Sequence, residues 1–290
     1  MLKKLIHHKK ILVICISMLC AIAIFLSILF IPKAIKSATK PEGIFVPIIM
    51  YHSVCSDTDM LCDYVISPTE LENDLKYLKE NNYNTIFVKD LINFVHGGGS
   101  LPPNPIILTF DDGFYNNLSN ALPILEKYDC KATISIVGSY TEKSDQSTDN
   151  SQRYSYVTSE QVMQLHNSGI IELGNHSFDM HNLDTRRGAG VMKNESYEEY
   201  RNALINDITK NQEYLSENCN IVPAIYTYPY GIVSDPSKRI VKACGFLASL
   251  GVEEKPNYIS SDPDCLYQLY RYNRPHGTST EKFMEKALKG

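Results

Sequence analysis

Ile106-Ile107-Leu108-Thr109-Phe110-Asp111-Asp112-Gly113 carries the first decision about this chain. Ile106 to Phe110 is uncharged, rich in β-branched and aromatic residues, and of strand length, so it reads as a buried strand. The strand ends on two adjacent carboxylates. Two such charges side by side are costly unless something cationic holds them, and a metal ion would do so. Gly113 lets the backbone turn sharply just after them. The ordinary alternative is a helix N-cap beside a solvated acid.

Outward from this stretch, strands and helices alternate. Ile44 to Tyr51 is apolar and of strand length. Ser67-Pro68-Thr69-Glu70 is a capping box with proline at the first helical position, and Leu71, Leu75 and Leu78 follow at helical spacing. Thr85–Val88 reads as a strand, Asp90–His96 as a short helix, Asn117–Tyr128 as a helix and Ala132–Val137 as a strand. Ser139–Ser155 is polar without periodicity and reads as a surface loop. A helix opens at Thr158 and ends at Gly169, and a strand spans Ile170–Leu173. Glu195–Glu217 reads as a long helix, Ala224–Tyr228 as a strand and Lys238–Cys244 as a helix. Leu247–Leu250 is a further strand and Ser279–Leu288 a terminal helix. Roughly seven βα units in series imply an α/β fold with a parallel sheet, a closed or nearly closed barrel. In such barrels the chemistry lies at the C-terminal ends of the strands.

A second group of reactive residues follows a strand, at Gly174-Asn175-His176-Ser177-Phe178-Asp179-Met180-His181. On one straight helix His176 and His181 would point about 140° apart. On a loop leaving a strand end they can converge. Two histidines and one aspartate form a ligand set that leaves coordination positions open for water and substrate.

Together, Thr109-Phe110-Asp111-Asp112-Gly113 and His176-Ser177-x-x-x-His181 resemble the polysaccharide deacetylase superfamily (NodB homology, carbohydrate esterase family 4) over about residues 44–290. The first motif matches letter for letter; the second is one residue longer than the usual form. Pro47-Ile48-Ile49-Met50-Tyr51-His52-Ser53 resembles the opening of a branch containing exported poly-N-acetylglucosamine and peptidoglycan deacetylases. The resemblance implies a distorted (β/α)7-type barrel. It implies that Asp112, His176 and His181 hold a divalent metal, Zn2+ by preference, with Co2+, Ni2+ or Mn2+ as alternatives. It also implies Asp111 as general base and, from Tyr228-Pro229-Tyr230-Gly231, the Tyr230 N–H as an oxyanion donor. The family's arginine ahead of that third motif is absent, and Arg271 and Arg274 are candidates to replace it. The tryptophan of the fourth motif has no counterpart, since the chain contains none. His276, the one late histidine, inherits the general acid. His52, Pro229 and Arg274 are expected to touch substrate. The implied reaction is removal of N-acetyl groups from a polymer containing N-acetylglucosamine. An O-acetyl esterase and a non-catalytic carbohydrate-binding descendant are the alternatives.

The first 40 residues differ from the rest of the 290-residue chain, with seven lysines and no acid. Ile11–Ile31 is apolar apart from Ser17 and Ser27 and, as a helix, would span about 31 Å, enough for a bilayer core. Four lysines precede it, which favours a cytoplasmic N-terminus. The expected organisation is a leader (1–10), a transmembrane signal anchor (11–31), a linker (32–43) and one catalytic domain (44–290) outside the cytoplasm, with secretion after cleavage as the alternative. Without the seven lysines, 21 basic residues face 33 acidic ones, a balance that excludes a nucleic-acid partner and suits a neutral or cationic sugar polymer. Of eight cysteines, two lie in the apolar run; Cys55 and Cys62 could close a small loop, or the remaining thiols could be free.

Overall fold

The computed structural model describes residues 42–184 and 186–290. The expected leader, anchor and most of the linker lie outside the described residues. Among the described residues no helix is long and apolar enough to cross a membrane.

The elements run β1 (Ile48–Tyr51), α1 (Pro68–Glu80), α2 (Val88–Val95), β2 (Pro105–Phe110), α3 (Leu122–Lys127), β3 (Ala132–Ile136), α4 (Gly138–Asp145), α5 (Ser159–Asn167), β4 (Ile171–Asn175), α6 (Tyr197–Cys219), β5 (Ile225–Thr227), α7 (Asp235–Ala243), β6 (Ala248–Leu250), β7 (Tyr272–Asn273) and α8 (Thr280–Ala287). Seven strands pair in the order β6-β5-β4-β3-β2-β1-β7, all parallel. Leu250 of β6 also bridges in parallel to Leu269, just before β7. A parallel sheet wrapped by helices in this way fits a (β/α) barrel.

The apolar runs follow from this arrangement. Ile106, Leu108 and Phe110 of β2 join one core cluster, while Ile107 joins another that includes Val88, Leu91 and Ile92 of α2. Successive side chains of a strand point to opposite faces, so a strand covered on both sides has no polar alternation to show. Ile44–Tyr51 is not one strand. Ile44–Phe45 pairs antiparallel with Tyr258–Ile259, and β1 begins only after Pro47, whose nitrogen cannot donate to a ladder.

Two further expectations are corrected. Thr85–Val88 is divided between a two-residue strand, Asn84–Thr85, and the start of α2. The polar stretch after β3 is not all loop, because α4 occupies Gly138–Asp145. Its buried positions are Gly138, Ser139 and Thr141, so the face it buries carries no hydrophobic period. The N–H groups of Gly138 and Ser139 donate to the Ser177 and Phe178 carbonyls, tying α4 to the loop after β4. The cysteines at 55, 62, 130, 219, 244 and 265 are all free thiols.

The capping box of α1 is present. Ser67 Oγ accepts from the Glu70 N–H at 3.2 Å and Glu70 Oε2 accepts from the Ser67 N–H at 2.9 Å. Glu70 also accepts from the Gly277 N–H at 3.0 Å and pairs with His276 Nδ1 at 2.9 Å, linking α1 to the segment before α8. Partial burial would raise the Glu70 carboxyl, but the Ser67 N–H, His276 and Gly277 outweigh it and draw it from 4.5 down to about 2. A carboxyl depressed on folding adds stability that is full above its unfolded pKa and is lost as pH falls through the folded one. Denaturant titrations should therefore show stability declining from pH 4.5 to about 2, with a shallower decline in Glu70→Gln. Equal slopes in the two proteins would contradict this linkage.

Candidate active site

Three strand ends bring the reactive side chains together. At the end of β2, Asp112 and Gly113 both have left-handed backbone, φ 72° and 74°. Glycine suits this angle, and a Cβ there would lie 2.9 Å from Ile136 Cδ1, so that side chain would have to shift. This turn leaves Asp111 buried while Asp112 reaches the cleft.

At the end of β4, Ser177 is also left-handed (φ 70°), and its N–H donates to Asn175 Oδ1 at 2.9 Å. Asp207 of α6 accepts from the Phe178 and Asp179 N–H groups, each at 2.8 Å. The first half of the loop is thus pinned, and the longer spacing from His176 still brings His181 beside it. Their rings stand 4.4 Å apart, centroid to centroid.

His176 Nδ1 lies 2.8 Å from the carbonyl of Thr227, at the end of β5. A carbonyl only accepts, so Nδ1 carries the proton and Nε2 presents a lone pair to the cleft. His176 Nε2 and His181 Nε2 each lie 3.4 Å from Asp112 Oδ1. The three donor atoms fall within 4.8 Å of one another. At 3.4 Å they are too far apart for strong hydrogen bonds among themselves, yet close enough to share a cation. Burial, then the neighbouring His176, holds His181 down to about 3, so its imidazole is neutral and free to ligate. The donor set, two imidazole nitrogens and one carboxylate oxygen, fits a divalent metal.

Asp111 is held by Arg271. The guanidinium donates from Nη1 to Oδ1 and from Nη2 to Oδ2, both at 2.7 Å. Arg271 is itself fixed by the Gly251 carbonyl at 2.7 Å and Thr109 Oγ1 at 3.1 Å. Burial would raise the Asp111 carboxyl, but the Arg271 charge overrides it and holds the group well below the usual carboxylate range. Of the two arginines considered, Arg271 is the one that meets Asp111. Arg274 is not among the residues that line the cleft. It is buried against Asp74, with Nε to Oδ2 at 2.7 Å, and serves the packing of α1 on α8. Its expected contact with substrate is corrected accordingly.

His276 is also corrected. Its ring is bonded to Glu70, its side chain is 40% exposed, and it does not line the cleft that holds Asp111 and Asp112. Besides His176 and His181, the histidine that does is His52, just beyond β1. Its Nε2 lies 3.9 Å from Asp111 Oδ2. His52 stood in the sequence as a strand-end residue, which was the signal available for it. Burial lowers its pKa, partly opposed by Asp111 and Asp112. Pro229 and Tyr230 lie in a short 3-10 turn after β5, with Tyr230 left-handed at φ 55°. The first N–H groups of such a turn have no partner within it, and Tyr230 is second in this one. Tyr230 lines the cleft, and its hydroxyl donates to the His181 carbonyl at 2.9 Å. Pro229 is buried and is not among the cleft-lining residues. The chain pattern did not single out Tyr64, which meets the His52 ring edge-on at 4.9 Å, or Arg187, whose guanidinium lies 5.1 Å from the Tyr230 ring centre; both line the cleft.

The family model for polysaccharide deacetylase matches residues 98–249, and the chain belongs to that family. The poly-beta-1,6-N-acetyl-D-glucosamine N-deacetylase of Staphylococcus aureus (strain MRSA252) is 25% identical over 200 residues, 69% of this chain and 65% of that protein. The match thus spans somewhat less than two thirds of that relative's length. Among solved structures, a de-N-acetylase from Aggregatibacter actinomycetemcomitans superposes with a TM-score of 0.71 at 25% identity, covering 83% of this chain and 99% of that one. The structure of IcaB from Ammonifex degensii gives 0.67 at 20% identity, over 87% of this chain and 100% of that one, and shares the fold.

Proposed function

We propose that this chain is a metal-dependent N-deacetylase of a polymer of N-acetylglucosamine. The observation that carries the reading is the convergence of Asp112, His176 and His181 beside an arginine-clamped Asp111, in one cleft at the strand ends. The names of the staphylococcal relative and of the Aggregatibacter structure support an amide substrate.

Asp112, His176 and His181 would hold the ion. A divalent metal, zinc by preference and cobalt, nickel or manganese as alternatives, supplies Lewis acidity toward the acetyl carbonyl and makes water a better nucleophile. Asp111 does the proton work. Arg271 occupies both of its oxygens from one side, so the carboxylate cannot rotate and keeps Oδ2 toward the cleft. Oδ2 takes the proton of the attacking water as the water oxygen bonds to the acetyl carbon. A carboxylate held so low keeps that proton only briefly. His52 Nε2, 3.9 Å away, is placed to receive it and to pass it to the sugar nitrogen. The C–N bond then breaks with the nitrogen leaving as a neutral amine, and acetate is released. The Tyr230 N–H is the donor for the developing oxyanion. His52 thus assumes the role that the motif pattern assigned to His276.

The apolar, lysine-flanked segment at 11–31 supports a tethered protein acting outside the cytoplasm. The substrate reading is tested by acetate release from three polymers: poly-β-1,6-N-acetylglucosamine, β-1,4-linked N-acetylglucosamine oligomers and O-acetylated xylan. Release from an N-acetylated polymer well above that from the xylan is expected. Release from xylan alone would replace the amidase with an esterase.

A further inference from the structure

We propose that Asn117, on a π-helical turn directly behind the catalytic aspartates, is a positioning residue for His52. This rests on the reading of His52 as the proton donor to the leaving nitrogen.

The imidazole of His52 makes no hydrogen bond of its own. Nδ1 is buried without a partner among the described residues, and Nε2 is 3.9 Å from Asp111, beyond hydrogen-bond range. Catalytic histidines are usually oriented through their second nitrogen; this one is not. With no hydrogen bond to orient it, the ring takes its place from packing, including the edge contact with Tyr64, and from its backbone.

That backbone is clamped from one side. Asn117 Nδ2 donates to the His52 carbonyl at 2.7 Å. Asn116 accepts from the Val54 N–H at 3.0 Å and donates to Ser53 Oγ at 2.7 Å. Asn120 donates to the Val54 carbonyl at 2.8 Å. Asn116 and Asn117 are buried, at 1% and 0% exposure. Residues 52–54 are therefore gripped by one short segment, and Asn117 holds the residue that bears the ring.

The turn that carries these asparagines has a physical cause. Pro123 has no N–H to give the helix, and the ladder widens ahead of it, with the Leu122 N–H donating five residues back to the Asn117 carbonyl. Such π turns are rare and recur at functional sites. Here the turn, Asn117–Ala121, follows Asp111-Asp112-Gly113 by three residues. One continuous segment thus carries the base at its start and grips the acid at its end, which sets the separation between them.

The test separates proton delivery from folding. An amide nitrogen must be protonated to leave; the phenolate of 4-nitrophenyl acetate leaves without a proton. The full-length, zinc-loaded chain and its Asn117→Leu and His52→Ala variants are assayed on N-acetylglucosamine oligomers and on 4-nitrophenyl acetate. Asn117→Leu should lower kcat on the amide about 10-fold or more with KM nearly unchanged, as displaced catalytic groups do, and the ester by less than about 3-fold. His52→Ala should show the same selectivity, more strongly. Equal losses on both substrates in Asn117→Leu, or none on the amide, would overturn the positioning role while leaving the His52 reading intact. Equal losses in His52→Ala would overturn the acid reading and the proposal together. Should Asn117→Leu not fold, Asn120→Ala decides by the same comparison: selective amide loss supports the clamp, and equal or no loss overturns it.

Discussion

Asp111→Asn should lower kcat for acetate release from N-acetylglucosamine oligomers by about 10^3-fold, within the range that a positioned acid–base group contributes. The asparagine retains an oxygen that can accept from Arg271, and Arg271 keeps the Gly251 carbonyl and Thr109 Oγ1, so the fold should persist with a lowered midpoint. Asp112, His176 and His181 are untouched, so bound metal, measured on the purified variant, should be unchanged. Loss of activity with metal retained separates the base from the ligands. An active Asp111→Asn protein would sink the assignment, because among the described residues Asp111 is the one carboxylate paired with His52, and Asp112 is assigned to the metal.

Arg271→Met should be strongly destabilising. Both partners of the ion pair are buried, with side-chain exposures of 0% and 3%. Removing one leaves the other charged and unpaired in the interior, at a cost of about 3–5 kcal/mol. The same change frees the carboxylate to rotate and lets its pKa climb, so activity should fall with stability. The double variant Arg271→Met/Asp111→Asn distinguishes charge from packing. It should recover a large part of the lost stability in denaturant titrations and none of the activity. A double variant no more stable than Arg271→Met would mean that the arginine acts through its packing.

Much of this site could be read from the chain because strand ends are local. Asp111 and Asp112 follow an apolar run directly, His176 follows the end of a strand, and their motifs resemble those of the family. The barrel was legible for the same reason, since strands covered on both faces leave uninterrupted apolar runs. What escaped the reading depends on distant partners. Whether His52 or His276 faces Asp111 is decided by Glu70, on α1, which captures the His276 ring at 2.9 Å. Arg271 and Arg274 are three residues apart in chain; one meets Asp111 and the other Asp74, and no local pattern separates them. α4 was hidden because glycine, serine and threonine do its burying. The Asn116, Asn117 and Asn120 cluster looked like the start of an ordinary helix, and its grip on residues 52–54 exists only once β1 and β2 lie side by side.

In the proposed function, Asp112, His176 and His181 form a metal centre that drives amide hydrolysis. The most direct measurement is acetate release from N-acetylglucosamine oligomers by the full-length chain, first stripped with chelator and then resupplied with zinc, with Asp112→Ala alongside. The expected result is no release after stripping, recovery on adding zinc, and no recovery in Asp112→Ala. Undiminished release by the stripped protein, with no metal left on the chain, would contradict it.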